Sequence, residues 1–276
     1  MKFDTKDLDI LRELVVEASK EELMSRFRHV ASSAKADGTL VTEADLAMQK
    51  CMELALAERW PDVGFLGEEM TAEEQQRLLD TSGQALWVLD PLDGTSNYAA
   101  GIPCFAPSLA LVSEGKVIAG VVYDPVLDEC FSALRGQGAW LNDEPLDALN
   151  KPETLKEAMA MVDLKRLPSE LIEAFAKRAP YRSQRSFGSV ALDWCWVAAG
   201  RFQVYLHGGQ KLWDYAAGHL ILSETSAVGG HCDDYYAEFS EVLTLTPRIG
   251  IAASDPALLE LWRAWLKENL KGDSNN

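Results

Sequence analysis

The sequence predicts a mixed fold, α+β in its first half and α/β in its second. Two patterns carry that prediction. Residues 108–134 hold three β-type runs joined by turn signals such as Glu114-Gly115, the signature of an antiparallel meander. After Lys151-Pro152, helical and β-type runs alternate to residue 270.

The elements follow in order. Leu8, Leu11, Leu14, Val15, Ala18 and Leu23 recur at helical spacing, giving an amphipathic helix over Asp7–Phe27. A polar loop, Ala31–Leu40, separates it from a helix over Ala44–Arg59, which Thr42 and Asp45 open and Pro61 stops. Two short β-type runs, Val63–Leu66 and Leu86–Leu89, flank a polar helix over Thr71–Asp80. The meander strands are Ser108–Ser113, Lys116–Tyr123 and Glu129–Leu134. The second half reads as strand Ala158–Val162, helices Pro168–Lys177 and Ser189–Ala199, strand Gln203–Leu206, helix Trp213–Ser223, strand Ile249–Ala253 and helix Pro256–Leu270. The expectation is one domain over residues 1–276. It has two lobes, 1–150 and 151–270, that meet near residues 148–156, and a disordered tail, Lys271–Asn276.

Composition narrows the function. With 43 acidic against 26 basic side chains the net charge is −17, which argues against nucleic acid or an anionic membrane as the main partner. Five widely spaced cysteines with no Cys-x-x-Cys indicate reduced thiols rather than a disulfide framework or a zinc ribbon. The first residues lack a signal-peptide pattern and no apolar run reaches membrane-spanning length, so a cytoplasmic location is expected.

The densest chemical signal is Trp87-Val88-Leu89-Asp90-Pro91-Leu92-Asp93-Gly94-Thr95-Ser96-Asn97-Tyr98. An apolar strand runs into two carboxylates three residues apart, with Pro91 fixing the turn and the Leu92 carbonyl between them. Two such carboxylates about 4 Å apart repel by roughly 4 kcal/mol near a protein surface, a penalty that a divalent cation reverses. Hard oxygen ligands suit Mg²⁺, and the Gly94 and Thr95 amides, if they start a helix, offer an anion site beside it. The competing aspartyl-phosphatase signature Asp-x-Asp-Gly-Thr needs an acid at position 91, where Pro91 stands. An ordinary acidic turn with a helix-capping Asp is the simpler alternative.

Three further elements accompany this motif. Gly67-Glu68-Glu69 ends an apolar run, Thr42-Glu43-Ala44-Asp45 opens a helix, and Trp213-Asp214-Tyr215-Ala216-Ala217-Gly218 puts an acid at another helix start. The four together resemble the inositol monophosphatase family of metal-dependent phosphatases. Gly120-Val121-Val122-Tyr123-Asp124-Pro125, Arg135-Gly136-Gln137-Gly138-Ala139 and Gly188-Ser189-Val190-Ala191 extend the likeness over nearly the whole chain.

The resemblance implies a layered α-β-α-β-α sandwich, a homodimer and two to three Mg²⁺ ions per site. Glu68, Asp90 and the Leu92 carbonyl would hold the first ion; Asp90, Asp93 and Asp214 the second; Glu68 and waters a weaker third. The first activates a water that attacks phosphorus directly, the second stabilises the leaving oxygen, and Li⁺ replaces the second. Thr95, oriented by Asp45, relays the proton, with Glu68 also counted among the catalytic residues. Asp93, Gly94, Thr95, Gly188, Ser189, Val190 and His207 would contact the substrate. Asp45 also fits a capping box with Thr42, Asp214 a helix-terminal acid, Glu69 a solvated neighbour of Glu68, and Lys35 either a partner of the metal loop or a surface lysine.

Two departures concern the alcohol half of the substrate. Inositol-hydrolysing members carry a Glu seven residues before the second-metal Asp, where this chain has His207, with one acceptor and one donor in place of acceptors only. The usual Glu-Ala-Gly-Gly is stretched to Glu224-Thr225-Ser226-Ala227-Val228-Gly229-Gly230. Ser96 after Gly-Thr points to a small sugar or polyol phosphate such as inositol 1-phosphate. Fructose 1,6-bisphosphate, histidinol phosphate, NADP and a 3′-phosphonucleotide are the alternatives, as is a non-catalytic partner-binding role. His231-Cys232-Asp233-Asp234 reads as a turn, because consecutive residues do not converge on one ion. Trp194 and Trp196 read as core or interface filling.

Overall fold

A computed structural model describes residues 3–28, 32–34, 40–81, 83–148 and 151–270. Helix α1 (Thr5–Ala18) is capped by Asp4 and Asp7 and continues into a π-helical turn, Ser19–Met24, where the Ser19 hydroxyl donates to the Val15 carbonyl. A ribbon of β1 (Ser32–Ala34) and β2 (Leu40–Thr42) then leads into α2 (Glu43–Arg59). The loop expected over residues 31–40 thus contains a strand. Lys35 and the tail 271–276 lie outside the described residues.

Strand β3 (Gly64–Gly67), helix α3 (Ala72–Asp80), strand β4 (Leu86–Asp93) and the short helix α4 (Thr95–Ala99) follow. Next come β5 (Ala106–Ser113), β6 (Lys116–Asp124), β7 (Glu129–Leu134), β8 (Gly138–Leu141) and β9 (Glu144–Pro145). These seven strands form one sheet in the order β3-β4-β5-β6-β7-β8-β9, parallel only at β3–β4, where α3 makes the crossover. The remaining elements are β10 (Met159–Asp163), α5 (Ser169–Arg178), β11 (Ser183–Arg185), α6 (Val190–Ala198), β12 (Val204–Gln210), α7 (Leu212–Ser223), β13 (Val228–Cys232), β14 (Arg248–Ala253) and α8 (Pro256–Leu270). They include a second sheet, β11-β10-β12-β14-β13, parallel across β11-β10-β12.

Alternation along the strands assigns the layers. Trp87, Leu89, Leu109, Leu111, Val121 and Tyr123 face one core with Leu11, Val15, Met48 and Met52 of α1 and α2. Leu86, Val88, Ala110, Val112 and Val122, on the opposite face, share a core with α6, α7 and Tyr205 and Ala252 of the second sheet. The far face of that sheet, with Ala160, Val162, Val204 and Ile251, packs on α5 and α8 through Phe175, Leu258 and Trp262. The result is the expected α-β-α-β-α sandwich, with α6 and α7 between the two sheets. All nine residues of α6 are buried, Trp194 and Trp196 among them, so these tryptophans fill the chain's own interior.

Other sequence expectations meet corrections. His231 and Cys232 end a strand paired with β14 rather than forming a turn, because His231 is buried, its Nε2 3.0 Å from Gln210 Oε1. β8, β9, β11 and β13, two to five residues each, are too short to stand out by periodicity. Cys51, Cys104, Cys130, Cys195 and Cys232 are all free thiols. Among the described residues no helix is long and apolar enough to cross a membrane.

Helix α7 is seated by two glycines. A Cβ on Gly120 of β6 would lie 2.9 Å from Ala217 Cα, and one on Gly218 would lie 2.7 Å from Trp194 Cβ of α6. Gly120→Val should therefore push α7 off the first sheet and cost about 1–3 kcal/mol of stability, read as a lowered Tm. An unchanged Tm would show that this contact is not tight in solution.

Candidate active site

The site begins with a strand irregularity. Asp90 pairs with Ser108 and Asp93 with Ala106, so three steps along β4 match two along β5 and one extra residue is bulged out. In a regular strand, residues three apart point to opposite faces; the bulge, within Pro91-Leu92, returns Asp90 and Asp93 to one face. The Asp90 carboxylate is buried and accepts from the Leu92 N–H at 3.0 Å, which closes the turn. Gly94 then takes φ +91°, and a Cβ there would sit 2.9 Å from the Cys104 carbonyl, so glycine is required.

The parallel pairing of β3 with β4 delivers Glu68. Gly67 lies beside Leu89, and the Glu68 N–H donates to the Leu89 carbonyl at 3.0 Å, so Glu68 arrives next to Asp90. Gln75 of α3 holds the Gly67 and Glu68 carbonyls at 2.9 and 3.0 Å, and Gln49 of α2 receives the Glu69 N–H at 3.0 Å.

Asp45 serves two purposes. One oxygen accepts from the Thr42 N–H and hydroxyl at 2.7 and 2.6 Å, completing the capping box of α2. The other lies 3.1 Å from the Thr95 hydroxyl, which is also 2.9 Å from the Leu92 carbonyl. The capping reading and the catalytic reading of Asp45 are therefore compatible, each using its own oxygen.

Asp93 reaches across to the second sheet's helices. Its Oδ2 accepts from the Ser189 hydroxyl and the Ala191 N–H, both at 2.7 Å, at the start of α6. Gly188, at φ +79°, leads into that start, and Val190 is the first residue of α6. Asp214, in the first turn of α7, accepts from the Lys211 N–H at 2.8 Å. The Ser108 hydroxyl donates to the Trp213 carbonyl at 3.1 Å, fixing α7 against the strand residue opposite Asp90.

His207 stands elsewhere in the hydrogen-bond network. Its Nδ1 accepts from the Gly209 N–H at 3.2 Å, and its Nε2 is 3.1 Å from Asp163 Oδ2. Three contributors are not evident in the sequence. Asn97 donates to the Cys104 and Phe187 carbonyls at 2.8 and 2.6 Å and so binds the two loops flanking Gly94; its place inside Gly-Thr-Ser-Asn-Tyr was the available signal. Asp163 receives His207. Asp193 of α6 is buried with an Oδ1 that has no hydrogen-bond partner, and burial near Asp93 and Asp163 pushes its carboxyl well above the usual range.

The electrostatics are those of crowded, buried like charges. Burial first, then Glu68, Asp93 and Asp214, raises Asp90; burial raises Asp93 to about 7 against its hydrogen bonds from Ser189 and Ala191; burial, Asp93 and Glu68 raise Asp214; and burial raises Asp45. Neither Asp90, Asp93 nor Asp214 makes an ion pair with a described Lys or Arg. Among the described residues no three His, Cys, Asp or Glu side chains already close on one point as a finished metal cage. What they form is a set of mutually repelling hard-oxygen donors, the chemistry that a divalent cation satisfies.

Comparison with known proteins bears on family and fold. A sequence profile described as the inositol monophosphatase family matches residues 5–269. "Inositol monophosphatase 1" of Solanum lycopersicum is 34% identical over 207 residues, 73% of this chain and 74% of that one. "Nus factor SuhB" of Pasteurella multocida is 34% identical over 227 residues, covering 79% and 82%. Among solved structures, a Thermotoga maritima IMPase superposes with a TM-score of 0.79 at 27% identity, covering 96% of this chain and 100% of that one.

The raised carboxyls set a pH dependence. In the unfolded chain they ionise near pH 4, about the ordinary value for Asp. In the folded chain they hold their protons to higher pH, so their contribution to stability falls as pH rises from about 4 towards 7. Without divalent cations, Tm should therefore fall between pH 5 and pH 7.5 by differential scanning fluorimetry. Added Mg²⁺ should raise it more at pH 7.5 than at pH 5, because only ionised carboxylates bind the cation. An equal Mg²⁺ effect at both pH values would assign the binding to other groups.

Proposed function

The chain belongs to the inositol monophosphatase family, and we propose on that footing that it is a Mg²⁺-dependent phosphomonoesterase hydrolysing a small sugar or polyol phosphate of the inositol 1-phosphate type. The observation that carries this reading is the bulge that sets Asp90 and Asp93 on one face beside Glu68, with Thr95 hydrogen-bonded to Asp45 next to them. The donor set fits Mg²⁺: Glu68, Asp90, the Leu92 carbonyl, Asp93 and Asp214 would hold two to three ions. Bound there, Mg²⁺ lowers the pKa of water and neutralises charge on the phosphoryl group and the leaving oxygen.

The chain's own residues supply the rest. The Thr95 hydroxyl accepts a proton from the attacking water as it passes its own to Asp45 Oδ1, and Asp45, raised by burial, is suited to receive it. Water attacks phosphorus directly and no phosphoenzyme forms. Gly94 and Gly188 take left-handed turns where a Cβ would press on the Cys104 carbonyl and on the Asn97 side chain, and Ser189 and Ala191 fix the angle of Asp93. The enzyme works as a homodimer in the cytoplasm.

A second reading rests on the SuhB-named relatives, which match as well as the monophosphatases do. A partner-binding role would use the surface of this fold and would survive loss of the carboxylates.

The tests are kinetic. Phosphate release from inositol 1-phosphate and from p-nitrophenyl phosphate should require Mg²⁺ and be inhibited by millimolar Li⁺, and Asp90→Asn should bring it close to background. Substantial activity in that variant would remove the two-ion reading. Thr95→Ala and Asp45→Asn should each lower kcat by about 10²–10⁴-fold with little change in Mg²⁺ affinity. The opposite split, weaker Mg²⁺ binding at unchanged saturating kcat, would make both residues structural supports.

A further inference from the structure

His207, where the family pattern has Glu, is part of a clamp. Because Nδ1 accepts from the Gly209 N–H, Nε2 carries the proton and donates to Asp163 Oδ2. The other Asp163 oxygen accepts from the Lys165 N–H at 3.0 Å and so caps the turn Leu164–Arg166. The backbone of that turn is pressed onto the glycine pair that follows His207. A Cβ on Gly208 would fall 2.0 Å from the Arg166 carbonyl, and one on Gly209 would lie 3.8 Å from Arg166 Cδ. The same glycines lead directly into Lys211 and the first turn of α7, which carries Asp214.

The clamp fixes the backbone that carries two cations. Lys165 and Arg166 are exposed, and neither side chain makes a hydrogen bond or an ion pair among the described residues. The positive charge of Arg166 is felt at both Asp163 and Asp214. The turn sits beyond the C-terminal ends of the parallel strands β10 and β12, the edge where open α/β sheets receive ligands. A chain of net charge −17 thus presents a basic turn against the glycines that follow His207, with the Arg166 charge reaching Asp214.

We infer that Arg166, with Lys165 beside it, forms an anion subsite at the alcohol end of the pocket, so that the preferred substrate is a phosphomonoester whose alcohol portion carries a second anionic group, a phosphate or a carboxylate. This rests on the phosphomonoesterase reading and revises its alcohol half, setting an anionic group where inositol 1-phosphate has only hydroxyls. Asp163 and His207 act as positioning residues for the turn.

Binding of phosphonates, whose C–P bond is not hydrolysed, tests the subsite without turnover. Calorimetry on the Mg²⁺-loaded protein would compare 3-phosphonopropionate and propane-1,3-bisphosphonate with 3-hydroxypropylphosphonate. The two anionic-ended ligands should bind about tenfold more tightly, the size of one charge-assisted hydrogen bond. Arg166→Gln should erase that preference, and Arg166→Lys should retain most of it. His207→Glu, which sets a carboxylate against Asp163, should shift the preference towards the hydroxyl-ended ligand. Preference for only one anionic end would identify the second group as carboxylate or phosphate. Equal wild-type affinities, an Arg166→Gln loss shared by all three ligands, or no binding by any of them would overturn the inference. Hydrolysis of p-nitrophenyl phosphate, measured in parallel, decides the phosphatase reading separately.

Discussion

Four carboxylates forced together at a junction of buried elements are the constraint around which the structure is organised. Asp90 is buried outright, and Asp93, Asp214 and Glu68 add charge of the same sign. Left to itself, such a cluster drives its members apart or protonates them. The surrounding structure resists the first outcome with backbone: a bulge holds Asp90, the start of α6 holds Asp93, and the start of α7 holds Asp214. The cluster is therefore preformed at a cost in stability that other contacts must offset, as is common for sites that concentrate charge.

The offset comes from the middle layer. Helices α6 and α7 belong to the same core as the facing sides of both sheets, so the elements that carry Ser189 and Asp214 are among the most completely buried in the chain. Gly120 and Gly218 bring backbone into near contact on either side of α7. Such packing transmits displacement rather than absorbing it, because interiors are dense and compress little. A change at the β6 face would be felt at Asp214 without touching it.

How much of this was legible in the sequence depended on what fixes each feature. Long helices and meander strands were visible because burial imposes a period, and α8 was read to its residue limits. Asp90, Asp93 and Asp214 were visible because they sit in dense local motifs. The bulge was not: Pro91 announced a turn, but the register of β4 against β5 depends on a partner strand. The short strands β8, β9, β11 and β13 were missed because neighbours rather than their own residues stabilise them. The surroundings of His207 could not be read either, since Asp163 is 44 positions away in sequence and meets it only through the parallel pairing of β10 with β12.

The hydrogen bonds of the site also divide each carboxylate's two oxygens between duties. Asp45 Oδ2, Asp90 Oδ1, Asp93 Oδ2 and Asp214 Oδ2 each accept a nearby backbone N–H. Asp90, Asp93 and Asp214 therefore each have one arm tied to the backbone, and a cation meeting them would find each carboxylate turned at a fixed angle. The scaffold bonds that keep the cluster from flying apart thus also set the directions of its donors ahead of any cation, the rigid presentation that a small ion demanding near-octahedral order would use.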